Sequence, residues 1–137
     1  MSKEECIEVL KSVPYISLAS SVGDQPDVRH IDGLFDEETG TILFAANRKS
    51  PKVAQFAQNN KVAFISAPSQ QGAFVRVKHA VVAEADVPFE PIKDALVTKR
   101  PTAAGLMNMI SQDPVVYRIS FEEAVMSFHG QNEVVKF

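Results

Sequence analysis

The residues whose types and spacing best suit chemistry are Asn47-Arg48-Lys49-Ser50-Pro51-Lys52, a cationic run that follows the apolar segment Thr41 to Ala46. Ser50 is a favoured N-cap residue and Pro51 suits the first helical position, so a helix is predicted to begin there. Helix N-termini are positive, because unpaired N–H groups and the macrodipole both point that way, so they favour anions and disfavour cations. Yet Lys49 and Lys52 flank this first turn, Arg48 precedes it, and no carboxylate is near in sequence. Such a turn makes physical sense with a phosphate at the cap, receiving backbone and hydroxyl hydrogen bonds and lysine charge. The competing reading is a solvated basic turn, at a dipole penalty of only about a few tenths of a kcal/mol.

Arg29 and His30 fall in a predicted strand, where neighbours point to opposite faces, so one of them turns inward or toward a partner. Arg29 is suited to a bidentate clamp on the same phosphate; an exposed strand arginine is the plainer reading. His30, His79 and His129 lack metal-ligand spacing, and with Cys6 as the single cysteine no metal site is expected. There is no nucleophile elbow, Walker A motif or GxGxxG. Glu37-Glu38 and Glu122-Glu123 read as solvated turn charge, and Met107 and Met109 as core packing.

The elements that must position these residues fit one domain spanning residues 1–137. The chain has 45% hydrophobic and 23% charged residues, enough for one core without disulfides. Net charge is −3, which argues against a general nucleic-acid or acidic-membrane binder. The charge is unevenly spread: Arg48, Lys49, Lys52, Lys61, Arg76 and Lys78 lie between Thr39 and Ala83, a stretch without Asp or Glu. A local anion site is one reading of that asymmetry, and chance is the other. The lone thiol suits a reducing compartment, no apolar run approaches the ~20 residues of a membrane span, and the acidic N-terminus does not resemble a signal peptide. A soluble cytoplasmic protein without a membrane anchor is expected.

Periodicity predicts a helix from Ser2 or Lys3 to Ser12, with Cys6, Val9, Leu10 and Val13 on one face. Strands are predicted at Tyr15 to Ser21, Asp27 to Phe35, Thr41 to Ala46, Val62 to Ala67 and Ala73 to Ala85. A second helix runs from Ser50 to about Asn60, a third from Pro88 to Lys99, and a short segment from Ala103 to Ile110 follows the break at Arg100-Pro101. Short strands at Val115 to Phe121, Glu123 to His129 and Glu133 to Phe137 end the chain, with Gly130-Gln131-Asn132 as the tightest turn. The fold class is mainly β with peripheral α, an antiparallel barrel of six or seven strands with flanking helices.

Pro26-Asp27-Val28-Arg29-His30-Ile31-Asp32, then Asn47 with Ser50 and Lys52, then Asn59-Asn60-Lys61-Val62, Phe74-Val75-Arg76-Val77-Lys78-His79-Ala80 and Ala124 to Gly130 together resemble a known family. It is the FMN-binding split-barrel family related to pyridoxamine 5′-phosphate oxidase, in its short single-domain bacterial form. The resemblance implies a split β-barrel with FMN as cofactor. It implies that Arg29 and Lys52 hold the FMN phosphate with Ser50 and Lys49, and that His30, Ile31, Asp32, Ala45, Ala46 and Asn47 line the flavin. It also implies a homodimer with the flavin at its interface, where Phe74, Arg76 or the C-terminal strands reach the partner's flavin.

Three departures qualify the resemblance. Pro51 stands where the oxidase often has a second cation, which shifts that phosphate contact to Arg48 or Lys49. The chain ends at Phe137, short of the region in which the oxidase binds pyridoxamine phosphate, so that activity is not expected. Asp32 places a carboxylate where the oxidase is apolar. The expected function is an FMN-dependent oxidoreductase working between a small-molecule electron donor and acceptor, with no nucleic-acid partner. The alternatives are a non-catalytic flavin-binding or redox-sensing protein, or a split barrel carrying deazaflavin or haem, with His30 or His129 as iron ligands.

Overall fold

The structure, a computed structural model, describes residues 3–137. The opening helix α1 (Lys3–Ser12) buries Cys6, Val9 and Leu10, the stripe that the apolar spacing marks; Ser2, the other proposed start, lies outside the described residues. The strands are β1 (Ile16–Val22), β2 (Gln25–Ile31), β3 (Leu34–Asp36), β4 (Thr41–Asn47), β5 (Lys61–Ser66), β6 (Phe74–Glu84), β7 (Pro114–Ser120), β8 (Glu123–Phe128) and β9 (Gln131–Lys136). Helix α2 (Pro51–Gln58) joins β4 to β5. Helix α3 (Phe89–Lys99), a single 3-10 turn (Pro101–Ala103) and α4 (Ala104–Ile110) join β6 to β7.

All pairings are antiparallel, in the order β2-β1-β5-β6-β7-β4-β3, with β8 on β6 and β9 on β8. Strand β6 opens the barrel wall: its start pairs with β8 through Phe74–Arg76, and its end pairs with β7 through Val81–Glu84. The sheet has nine strands rather than the six or seven expected of the barrel, because all eight predicted segments form strands and one of them divides. One addition arises because the Asp27 to Phe35 segment breaks at Asp32-Gly33 into β2 and β3. A Cβ on Gly33 would sit 2.9 Å from Ile42 Cγ2, so a side chain there would force the Ile42 side chain or the backbone to shift. The last hairpin also differs from expectation. Its turn is His129-Gly130, with φ of 51° and 77°, and two successive positive φ values are what a tight two-residue hairpin requires.

Strand β4 is buried on both faces, which explains its unbroken apolar run. Ile42, Phe44 and Ala46 face the barrel core, which Phe56, Val75, Val77 and Ile119 also fill. Leu43 faces outward into a smaller cluster with Ile92, Leu96, Met107, Ile110 and Val116, which anchors α3 and α4. Burial at roughly 1.5–3 kcal/mol per large side chain makes this second cluster sufficient to fix α4 against β4. Cys6 is wholly buried, and burial pushes its thiol up to about 11, away from nucleophilic chemistry.

Candidate anion and cofactor site

The ends of β2 and β4, the N-terminus of α2 and helix α4 enclose a cavity of about 480 Å³. From β2 it takes His30 and Ile31, and from the break after it Asp32; from β4 it takes Ala45, Ala46 and Asn47. The turn into α2 adds Lys49, Ser50 and Lys52. All nine are residues that the sequence analysis marks for cofactor contact. The small side chains of Ala45 and Ala46 leave the room.

Ser50 occupies the N-cap with extended backbone (φ −66°, ψ 139°) and Pro51 follows at the first position, but the serine hydroxyl does not cap the helix. Instead Lys52 Nζ donates to Ser50 Oγ at 2.9 Å, and the Ser50 carbonyl accepts the Val53 N–H at 3.0 Å. Hydroxyl and ammonium therefore stand together at the positive end of α2. Burial, and then the nearby Arg29 guanidinium, push the half-buried Lys52 ammonium below its ordinary value. Among the described residues no carboxylate forms an ion pair with it. A half-buried cation facing a second cation is costly unless an anion joins them.

Arg29 is the inward member of its pair of neighbours, with a side chain 17% exposed. Its Nη1 donates to the Leu18 carbonyl (3.0 Å) and Ser20 Oγ (2.9 Å), and its Nη2 to Gln55 Oε1 (2.7 Å) and Asp27 Oδ2 (3.1 Å). Both terminal nitrogens are engaged, so Arg29 stands behind Lys52 instead of opening a free fork into the cavity. His30 lies on the opposite face, its Nδ1 3.0 Å from Ser17 Oγ and its ring against Tyr15 at 4.4 Å. Arg48 turns away to Glu84 (2.8 Å), whereas Lys49 borders the cavity.

Asn47 works as a strut. Its Oδ1 accepts the Lys49 N–H at 2.9 Å, and its Nδ2 donates to the Met109 carbonyl at 3.0 Å, tying the cationic turn to α4. Leu106, Met107, Met109, Ile110 and Gln112 complete the cavity, and sequence reasoning marked none of them as site residues. Met107 is core, 1% exposed, but Met109 is 65% exposed and lies on the rim, which corrects its assignment to packing. The signal was faint: a helix of sequence AGLMNMI with no charged residue leaves two apolar side chains, Leu106 and Met109, facing water. Phe74 lies outside this cavity, half-buried where β6 meets β8, and His129 is in the β8–β9 turn. Among the described residues no cluster of His, Cys, Asp and Glu is suited to hold a metal.

Comparison with known proteins agrees with this architecture. The pyridoxamine 5′-phosphate oxidase-like family matches residues 9–132, and the chain belongs to that family. Among solved structures, a NimC/NimA family protein from Clostridium acetobutylicum is 25% identical with a TM-score of 0.72, over 98% of this chain and 91% of that one. A FAD-binding protein from Mesorhizobium loti is 17% identical (TM-score 0.68; 98% and 94% covered). A haem-binding protein from Mycobacterium smegmatis is 15% identical (TM-score 0.73), with 97% of this chain covering 57% of that one. At those lower identities the likeness is one of fold. No curated protein matches the sequence.

Proposed function

We propose that this chain is a flavoprotein that binds FMN in the cavity between β2, β4, α2 and α4. The observation that carries this reading is the half-buried Lys52 ammonium at the N-terminus of α2, set beside Arg29 and bonded only to a neutral hydroxyl. Two cations, a hydroxyl and a helix N-terminus suit one phosphate dianion. Lys52, Ser50 and Lys49 hold that phosphate, and Arg29 adds charge from behind. Ile31, Asp32, Ala45 and Ala46 form the wall of the ring end, with His30 and Asn47 at its margins. FMN fits better than haem because the cavity carries a phosphate anchor in Lys52, Ser50 and the N-terminus of α2.

When bound, the flavin supplies two-electron hydride chemistry between a small-molecule donor and acceptor, so the protein acts as an FMN-dependent oxidoreductase. The chain's own contribution is binding and orientation: a phosphate anchored at α2 fixes where the reactive edge of the ring lies. No protein nucleophile is needed. The working form is a cytoplasmic homodimer in which Phe74 of a second copy approaches the flavin. Its contact face is the outer surface of β2, β1 and β5, where Val28 is 64% and Ile65 38% exposed around Ala19 and Ala63. The test is a visible spectrum of the purified protein, followed by addition of NADH or NADPH and then a quinone. A flavin spectrum that bleaches and returns supports the oxidoreductase. Bound flavin that no nicotinamide reduces sinks the enzyme reading and leaves a binding or sensing protein.

A further inference from the structure

Asp32 borders the cavity, yet its side chain is only 7% exposed. A buried carboxylate is sustained only by pairing, and here both oxygens are taken by one guanidinium: Arg100 Nε to Oδ1 at 2.7 Å and Arg100 Nη2 to Oδ2 at 2.8 Å. The partner comes from the C-terminus of α3, far away in sequence. The Lys99 ammonium, half-buried next to Arg100, donates to the Gly33 carbonyl at 3.2 Å; burial pushes it below its ordinary value, against the opposing pull of the Asp32 carboxylate. Arg100 itself is held to Thr102 Oγ1 at 3.1 Å. Two cations and one carboxylate thus meet at the break between β2 and β3, where Asp32 borders the cavity. Nothing in phosphate binding requires them.

We infer that Arg100, a positioning residue acting through Asp32, neutralises this carboxylate at the flavin site and so keeps it from weakening the affinity for reduced relative to oxidised flavin. This rests on the FMN reading above. Reduction adds electron density to the ring, so a bordering negative charge disfavours the reduced form and a bordering positive charge favours it. With Arg100 holding both carboxylate oxygens, the two effects offset each other. Removing either partner leaves the field of the other unbalanced, and the buried Asp32 charge acts more strongly than the partly exposed Arg100 charge.

The test is the midpoint potential of the FMN-loaded protein for wild type, Asp32→Asn, Arg100→Met, Arg100→Lys and the double variant Asp32→Asn/Arg100→Met. Asp32→Asn keeps the shape of the side chain and is expected to raise the potential; Arg100→Met is expected to lower it. Each shift corresponds to about a tenfold change in the ratio of reduced to oxidised FMN affinity, about 30 mV for a two-electron couple. The double variant is expected to return toward wild type, and Arg100→Lys to recover most of the loss. A purely structural pair would loosen the site in both single variants and move both potentials the same way, which overturns the inference, as does no movement in either. Failure of wild type to take up FMN defeats the flavin reading instead, so the two failures are separate.

Discussion

At the scale of residues, the site turns on what Ser50 and Lys52 do in place of their ordinary tasks. An N-cap serine normally contributes about 1 kcal/mol through its hydroxyl, but Ser50 Oγ is bonded to Lys52 and does not cap α2. Ser50→Ala is therefore expected to change stability by less than about 0.5 kcal/mol in denaturant unfolding while lowering FMN affinity several-fold. A full capping loss with unchanged affinity would place the hydroxyl in the helix and not in the site. Lys52 also sets a pH dependence. Its ammonium is depressed below its ordinary value in the free protein, by burial and then by Arg29, whereas a bound phosphate favours the charged form. Binding then takes up a proton, so FMN affinity is expected to fall as pH rises through the depressed value toward the ordinary one. The free protein has the opposite tendency: its unfolded chain holds the Lys52 proton more tightly, so this residue's contribution to stability grows over the same interval. Lys52→Arg, which stays charged, flattens the affinity profile; calorimetric titration across alkaline pH reads the difference.

At the scale of elements, the cavity depends on two close joins. Asn47 links the cationic turn to α4 by a hydrogen bond on each side of its amide. Asn47→Ala is expected to cost about 1–2 kcal/mol and to speed hydrogen exchange in α4 more than in β4; protection unchanged in α4 would remove the strut. Gly33→Ala forces a methyl against Ile42 and is expected to cost about 1–3 kcal/mol in thermal or denaturant unfolding. These joins also mark where sequence reading reached its limit. The turn at Asn47 to Lys52 was legible because capping chemistry and charge lie in one contiguous run, and β4 was legible from its apolar pattern. The partners of that turn were not: Asn47 meets Met109, and Asp32 meets Arg100, across separations of 62 and 68 residues that no local period reports. An apolar helix such as α4 reads as core whether its exposed face meets water or a ligand, which is why Met109 reads as packing. The break that divides β2 from β3 was hidden for a related reason, since one glycine in a strand pattern signals a close approach only once the neighbour is known.

At the scale of the whole molecule, the uneven charge resolves into separate places. Of the basic segment, Lys49 and Lys52 converge on the cavity and Arg48 pairs with Glu84, while Lys61, Arg76 and Lys78 line a different cleft between β5, β6 and β8. No helix among the described residues is long and apolar enough to cross a membrane. The homodimer reading has its own check: sedimentation of the protein is expected to give a dimer, and Ile65→Lys, which charges the apolar outer face, is expected to shift it toward monomer and weaken FMN retention together. A monomeric wild type that binds FMN at full strength would mean that one chain completes the site. The central claim, that the cationic turn of α2 is the phosphate anchor of a flavin site, is tested most directly by titrating stripped protein with FMN and following flavin fluorescence, for wild type beside Lys52→Ala. The account predicts saturable binding of one FMN per chain by wild type and an affinity about ten- to a hundred-fold weaker in the variant, the loss of one charge-assisted contact. A wild type that leaves FMN fluorescence unchanged, or a variant that binds as tightly, would contradict it.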